Sequence, residues 1–265
     1  MSSLSLELRC ALDPVLFARV KLGFEPDPWQ AALLGSTSKR ALLNCCRQSG
    51  KSTSTAILAV HTSHYQPGAL VLLGSPSLRQ SRELFGKVTD FRKRLDPDMT
   101  LIEDNKTSYE LANGSRVVCL PGTADTVRGY SDPALIVEDE AAYVDDDFDR
   151  AVRPMLAVSN GRLIKMSTPN GQRGHFFEAW SKGGDEWERV EVPASECPRI
   201  TPEFLAQERR ELGEWHFRQE YECEFVDSVN QLFRSADIER AITDDVKPLF
   251  LPASDVKPLF GGKAA

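Results

Sequence analysis

Gly50, Lys51 and Ser52 follow closely on a short apolar run, ALLNC at 41–45, and open a helical pattern. A strand, a short loop, then glycine, lysine and a hydroxyl at a helix start is the order that phosphate chemistry needs. Loop amides and the positive end of a helix point at phosphate oxygens. Gly50 lets the backbone approach closely, Lys51 carries charge to the β- and γ-phosphates, and Ser52 offers a hydroxyl ligand to magnesium. In the pattern G-x-x-x-x-G-K-[ST], Cys45 stands where the first glycine belongs, so ALLNCCRQSGKST (41–53) is a variant Walker A loop. Cys46, Arg47, Gln48, Ser49, Gly50, Lys51, Ser52 and Thr53 become the candidate nucleotide contacts. A bare GKS tripeptide would leave an ordinary strand–turn–helix with an exposed lysine as a serious competitor.

What decides against that competitor is a second element. ALIVEDEAAY (134–143) is an apolar strand that ends in acids. Asp139 fits the aspartate that holds magnesium together with Ser52, and Glu140 fits the base that polarises an attacking water. Glu138, one residue earlier, reads as structural. Two further apolar strands separate Lys51 from Asp139. That spacing suits ATPases with an additional strand and a catalytic glutamate, and it fits small kinases and switch GTPases poorly.

These residues need a scaffold. ALLNC (41–45), ALVLL (69–73), RVVCL (116–120), ALIVE (134–138) and RLIKM (162–166) read as buried strands. Helical patterns fall near 50–63, 77–95, 147–157 and 173–182. The alternation predicts an α/β fold: a mostly parallel central sheet flanked by helices, of the P-loop NTPase type. Asn113-Gly114 before RVVCL predicts a hairpin and hence some antiparallel pairing. Residues 201–225 predict a charged, aromatic-rich helical lid. The expected division is a core over 1–195, a lid over 196–243 and a linker or tail over 244–265, where DVKPLF occurs twice, at 245–250 and 255–260.

Composition narrows the function. Hydrophobic residues make up 41% and charged residues 27% of the 265, a globular mix rather than a disordered one. A net charge of −7 argues against coating nucleic acid by bulk charge, so any such contact must be local. No apolar run is long enough to predict a membrane helix. The six cysteines form no CxxC and no zinc-type spacing, and predict reduced, packed thiols. The four histidines form no HExxH or triad pattern.

Taken together, the motifs resemble the ATPase domain of tailed-bacteriophage terminase large subunits. CRQSGKST (46–53) is similar to that family's Walker A, which carries Arg-Gln inside the loop and lacks the first glycine. LIVEDEA (135–141) is similar to its Walker B with adjacent glutamate, and KMSTPNG (165–171) to its coupling motif. FEPDPWQAALL (24–34) resembles its adenine-side Q motif, and FRQEYECEFVDSVNQLF (217–233) the helix that closes the ATPase half. The resemblance implies a magnesium-dependent ATP hydrolase that drives double-stranded DNA into a procapsid. It implies a homo-oligomeric ring of five subunits on the portal protein, a small terminase subunit as partner, and a location in the cytoplasm of the infected bacterial cell. It also implies a nuclease domain following in cis in the full-length protein. No acidic cluster of that nuclease type occurs in this sequence, so DNA cutting is not expected from this chain.

On that resemblance, Gln30 is expected at the adenine edge, with Trp29 or Phe24 nearby. Arg47 senses the γ-phosphate or pairs with Glu140 in the absence of nucleotide. Ser167, Thr168 and Asn170 read the γ-phosphate state and pass it to the lid. Arg128, in TVRGYSD (126–132), is the candidate arginine finger. The helix from Leu78 to Leu95 carries six basic against two acidic residues, and Arg92, Lys93 and Arg94 are the candidate DNA contacts, against a merely solvated helix face. Two rival functions remain: a helicase-like translocase, for which the length leaves no second RecA-like core, and a nucleotide-binding docking module without turnover, against which Glu140 argues.

Overall fold

The structure is a computed structural model and describes residues 3–226 and Ala241. The expected tail over 244–265, most of the lid's final stretch and the end of the 217–233 motif lie outside these residues. Eight strands form one sheet: β1 (Arg40–Cys45), β2 (Leu70–Ser75), β3 (Leu101–Asp104), β4 (Ser108–Leu111), β5 (Arg116–Pro121), β6 (Leu135–Asp139), β7 (Arg162–Ser167) and β8 (Glu188–Val192). Their spatial order is β3-β4-β5-β2-β6-β7-β1-β8. The six strands from β5 to β8 are parallel, and β3 and β4 add antiparallel at one edge.

The helices are α1 (Ser3–Leu12), α2 (Pro14–Leu22), α3 (Pro28–Gly35), α4 (Lys51–Tyr65), α5 (Leu78–Leu95), α6 (Ala124–Val127), α7 (Asp146–Ser159), α8 (Gly174–Lys182) and α9 (Pro202–Tyr221). Parallel strands need helical crossovers, and those crossovers cover both faces of the sheet. The alternation of side chains along β2 shows how the two cores divide. Val71 and Leu73 join the core under α2, α4 and α5, whereas Leu70 and Leu72 join the one under α7. On the latter side Phe148 is fully buried against Gly74, where a Cβ would come within 2.7 Å of the ring.

The five strands read from sequence are present, and the Asn113-Gly114 hairpin joins β4 to β5, with Gly114 at φ 79° as such a turn requires. Sequence patterns missed β3, β4 and β8. LIED, SYEL and ERVEV are short and charged because they lie at the sheet's margins, where one face meets water.

Candidate nucleotide site

Register brings three strand ends together. Asn44 on β1 lies opposite Ser167 on β7, and Met166 on β7 lies opposite Asp139 on β6. The additional strand β7 therefore stands between the strand that feeds the phosphate loop and the strand that ends in acids. At this edge the chain leaves β1 and turns through residues 46–50 into α4. Gln48 at φ 63° and Gly50 at φ 96° supply the left-handed steps of the turn. A Cβ on Gly50 would come within 2.6 Å of the Gln30 amide nitrogen, so the close approach depends on glycine.

Four hydrogen bonds hold the loop's backbone from outside. Cys46 N–H donates to the Val192 carbonyl at 3.0 Å and Arg47 N–H to the Glu220 carbonyl at 3.2 Å. Arg199 donates to the Ser49 carbonyl at 2.8 Å and pairs with Asp27 at 2.7 Å. Gln30 Nε2 donates to the Gly50 carbonyl at 3.4 Å, while its Oε1 accepts from Asp27 N–H at 2.9 Å. The Asp27-x-x-Gln30 spacing is a capping box at the start of α3, so the same glutamine caps the first turn of one helix and braces the loop that leads into another.

The acids meet the lysine in this cleft. Lys51 Nζ lies 3.2 Å from Glu140 Oε1, with their side chains 9% and 28% exposed. Glu140 adopts φ 53°, an uncommon conformation for a residue with a Cβ, and its N–H donates to Asp139 Oδ1 at 3.0 Å. Ser167 Oγ donates to Glu140 Oε2 at 3.4 Å, and Asn170 Nδ2 to the Ala142 carbonyl at 3.2 Å, so the STPN segment fastens the turn that carries Glu140. Burial, then the neighbouring Glu140 charge, pushes Asp139 up to about 6. Burial pulls Lys51 down, but Glu140 and Asp139 outweigh it and leave the ammonium above its ordinary value. Glu140 pairs with the ammonium and buried Asp139 acts on it through space, so two carboxylates face one cation, an excess of negative charge suited to a further cation.

The remaining expected residues scatter. Thr168 is buried; Ser52 and Thr53 sit half-buried in the first turn of α4. Arg47 pairs with Glu220 of α9 instead of Glu140, because Lys51 already occupies the Glu140 carboxylate. Arg128 is exposed at the end of α6 and pairs with Asp125 at 3.4 Å. Among the expected DNA contacts, Arg92 needs correction. It is 4% exposed and lies over the Tyr109 ring at 5.6 Å, because it falls on the same helical stripe as Leu84 and Val88. Lys93 and Arg94 stay on the surface.

Gln30 spends both ends of its amide on backbone groups. A cavity of about 290 Å³ opens beside Thr53 instead, lined by Phe24, Phe91, Lys87, Asp90 and Arg94, with the two phenylalanines edge to face at 6.1 Å. Sequence reasoning missed Phe91, Arg199 and Glu220. Arg199 and Glu220 reach the loop, and Phe91 the cavity beside it, only through the tertiary fold, and no local spacing marks them.

Comparison with known proteins settles the kinship. A profile of the N-terminal domain of the large terminase subunit, T4-like-virus type, matches residues 42–240. The chain belongs to this family. A large terminase subunit of Thermus phage G20c is 26% identical over 273 residues, covering 89% of this chain and 56% of the relative. The chain thus spans little more than half the length of that member. The ATPase domain of the Thermus phage P74-26 large terminase superposes with a TM-score of 0.70 at 23% identity, over 78% of this chain and 97% of that one. The large terminase of another thermophilic bacteriophage, in complex with ADP, gives a TM-score of 0.61 at 10% identity, over 82% and 53%. The fold is that of the family's ATPase domains, a P-loop NTPase fold.

Proposed function

We propose that this chain is the ATPase domain of a viral DNA-packaging motor. The observation that carries the reading is the Lys51–Glu140 pair at 3.2 Å beside buried Asp139, at the mouth of the phosphate loop. Family membership supports the larger role of driving double-stranded DNA into a procapsid as a ring on the portal, with a small terminase subunit and a nuclease domain in cis as further partners.

In this reading ATP lays its phosphates along 46–53, where loop amides and the α4 N-terminus meet their charge. Its base enters the cavity beside Thr53, which Phe24 and Phe91 help to line. Ser52 and Asp139 are the residues to hold magnesium, and the shortage of positive charge among Lys51, Asp139 and Glu140 fits such an ion. Bound there, it supplies positive charge to the β- and γ-phosphate oxygens.

The arrival of phosphate draws Lys51 from Glu140, and the freed carboxylate accepts a proton from the attacking water. Ser167 keeps that carboxylate aimed. Arg47 faces a choice between Glu220 and the γ-phosphate, which links hydrolysis to α9, the described part of the lid. Arg128, exposed and lightly paired, completes a neighbour's site in the ring, and Lys93 and Arg94 contact the DNA backbone.

The test is ATP hydrolysis by wild type and Glu140→Gln, with and without portal-bound capsid and DNA. The variant should keep nucleotide and lose turnover by about 10²–10⁴-fold, and DNA-filled capsids should appear with wild type only. Equal turnover in both proteins would remove Glu140 from the chemistry. Binding without turnover in the assembled ring would favour a docking module. Arg128→Ala should abolish turnover in the ring while leaving nucleotide affinity unchanged, and full turnover there would end the finger assignment.

A further inference from the structure

All six cysteines are free and buried, and one pair has its sulfurs in contact. Cys46 Sγ and Cys197 Sγ lie 3.6 Å apart although 151 positions separate them in the chain. Cys46 is the first residue of the phosphate loop. Cys197 follows the short helical turn Ala194–Glu196 and stands two residues before Arg199, which holds the Ser49 carbonyl. No three cysteine sulfurs converge as a metal site would require among the described residues.

We propose that Cys46 and Cys197 form a reversible thiol-oxidation site, at which a hydroperoxide closes a disulfide across the base of the phosphate loop. Its effect on activity rests on the nucleotide reading given above; the crosslink itself does not.

The two sulfurs differ in character. The thiol of Cys46 hydrogen-bonds to Cys197 and holds it below the ordinary cysteine value against the cost of burial, with Arg199 assisting. The same contact, together with burial, pushes Cys46 up. Cys197, beside Arg199 and the less enclosed of the two at 3% against 0% exposure, is the attacking sulfur and Cys46 the resolving one. The Cys197 thiolate attacks one peroxide oxygen and the O–O bond breaks. The departing hydroxide takes up the thiol's proton as water, and Cys197 becomes a sulfenic acid. Cys46 then loses its proton and attacks that sulfur; the S–O bond breaks and a second water leaves. Two thiols lose two hydrogens, and one peroxide is reduced to two waters.

Closing the bond shortens the sulfur separation from 3.6 Å to about 2.05 Å. Cys46 N–H is already held by the Val192 carbonyl at 3.0 Å, so the new bond ties the first residue of the loop to the 197 turn at a second point. Holding the loop entry in one geometry should lower turnover, since a misplacement of about 1 Å costs about 10²-fold in a well-positioned site.

The experiment treats the reduced chain with hydrogen peroxide, maps disulfide-linked peptides by mass spectrometry, and follows fluorescent-nucleotide binding and ATP turnover before and after dithiothreitol. The expected result is a Cys46–Cys197 crosslink as the first disulfide, with turnover falling about 100-fold and recovering on reduction. Cys197→Ser should keep basal turnover and lose the peroxide response. If its melting curve shows a folding defect, Cys197→Ala serves the same purpose. A first crosslink between other cysteines, or a Cys46–Cys197 crosslink that leaves turnover unchanged, would overturn the proposal. Reduced protein that binds no nucleotide would instead sink the proposed function, while the peptide map still reports on the disulfide.

Discussion

Around the tip of β6 two acid–lysine assemblies sit back to back, because adjacent side chains on a strand point to opposite faces. On one face Lys51 meets Glu140 and Asp139. On the other, Lys165 Nζ lies 2.5 Å from Asp149, 3.0 Å from His175 Nδ1 and 3.9 Å from Glu138, with Arg153 closing on Asp149 at 2.8 Å. The first assembly keeps Glu140 28% exposed, whereas Lys165 and Glu138 are both at 0%. Glu138, Asp149 and His175 bring ligand atoms within 4.8 Å of one another, the outline of a metal site. The Lys165 ammonium lies among them and supplies the positive charge that an ion would bring. The same chemistry thus serves two ends. Where charge is nearly matched and water excluded, it fixes α7 and α8 to the sheet. Where one cation faces two acids and one of them stays partly exposed, it leaves a demand that nucleotide and metal can meet.

The largest effect expected on the buried side comes from Lys165→Met. Removing the ammonium leaves Glu138 and Asp149 under-compensated in a dry interior, which should cost about 3–5 kcal/mol, read as a lowered denaturant midpoint. Burial, reinforced by Lys165, holds His175 down at about 4, so the variant should also let that histidine titrate at higher pH. An unchanged midpoint would mean that the network contributes little.

pH separates the two assemblies next. Asp139 is raised to about 6, so its carboxyl takes up a proton as pH falls through that value, well above the ordinary range. A neutral Asp139 is a poor metal ligand. Turnover should therefore drop below about pH 6, and raising magnesium should move that limb to lower pH. A limb near pH 4 that ignores magnesium would contradict the assignment. The smallest effect belongs to the surface. Arg47→Ala removes an ion pair with a 64% exposed arginine and should change stability by about 1 kcal/mol or less. Its signature should appear instead as weaker ATP binding with ADP binding unaltered.

The open assembly was legible in the sequence because its parts are local. Asp139-Glu140 closes one strand and Gly50-Lys51-Ser52 opens the helix a short loop beyond another, and the fold merely aligns two edges that the patterns had already placed. The buried assembly was not legible. Lys165 sits in an apolar strand, and Glu138, Asp149 and His175 come from three other elements, so no spacing connects them. The helical period could have found Arg92, since Leu84, Val88 and Arg92 recur every four residues, yet basic composition alone pointed it outward. Arg199 and Glu220 escaped because their roles are contacts to backbone or to a distant loop. Motifs report chemistry carried on one element; braces that join elements appear only in three dimensions.

The central claim is that the Lys51 ammonium, faced by two acids, is the phosphate anchor of this site. The most direct measurement is a fluorescent-ATP titration of wild type and Lys51→Ala, with folding checked by circular dichroism. The account predicts saturable binding to wild type and loss of it in a variant that stays folded. Equal affinity in the two proteins would contradict it.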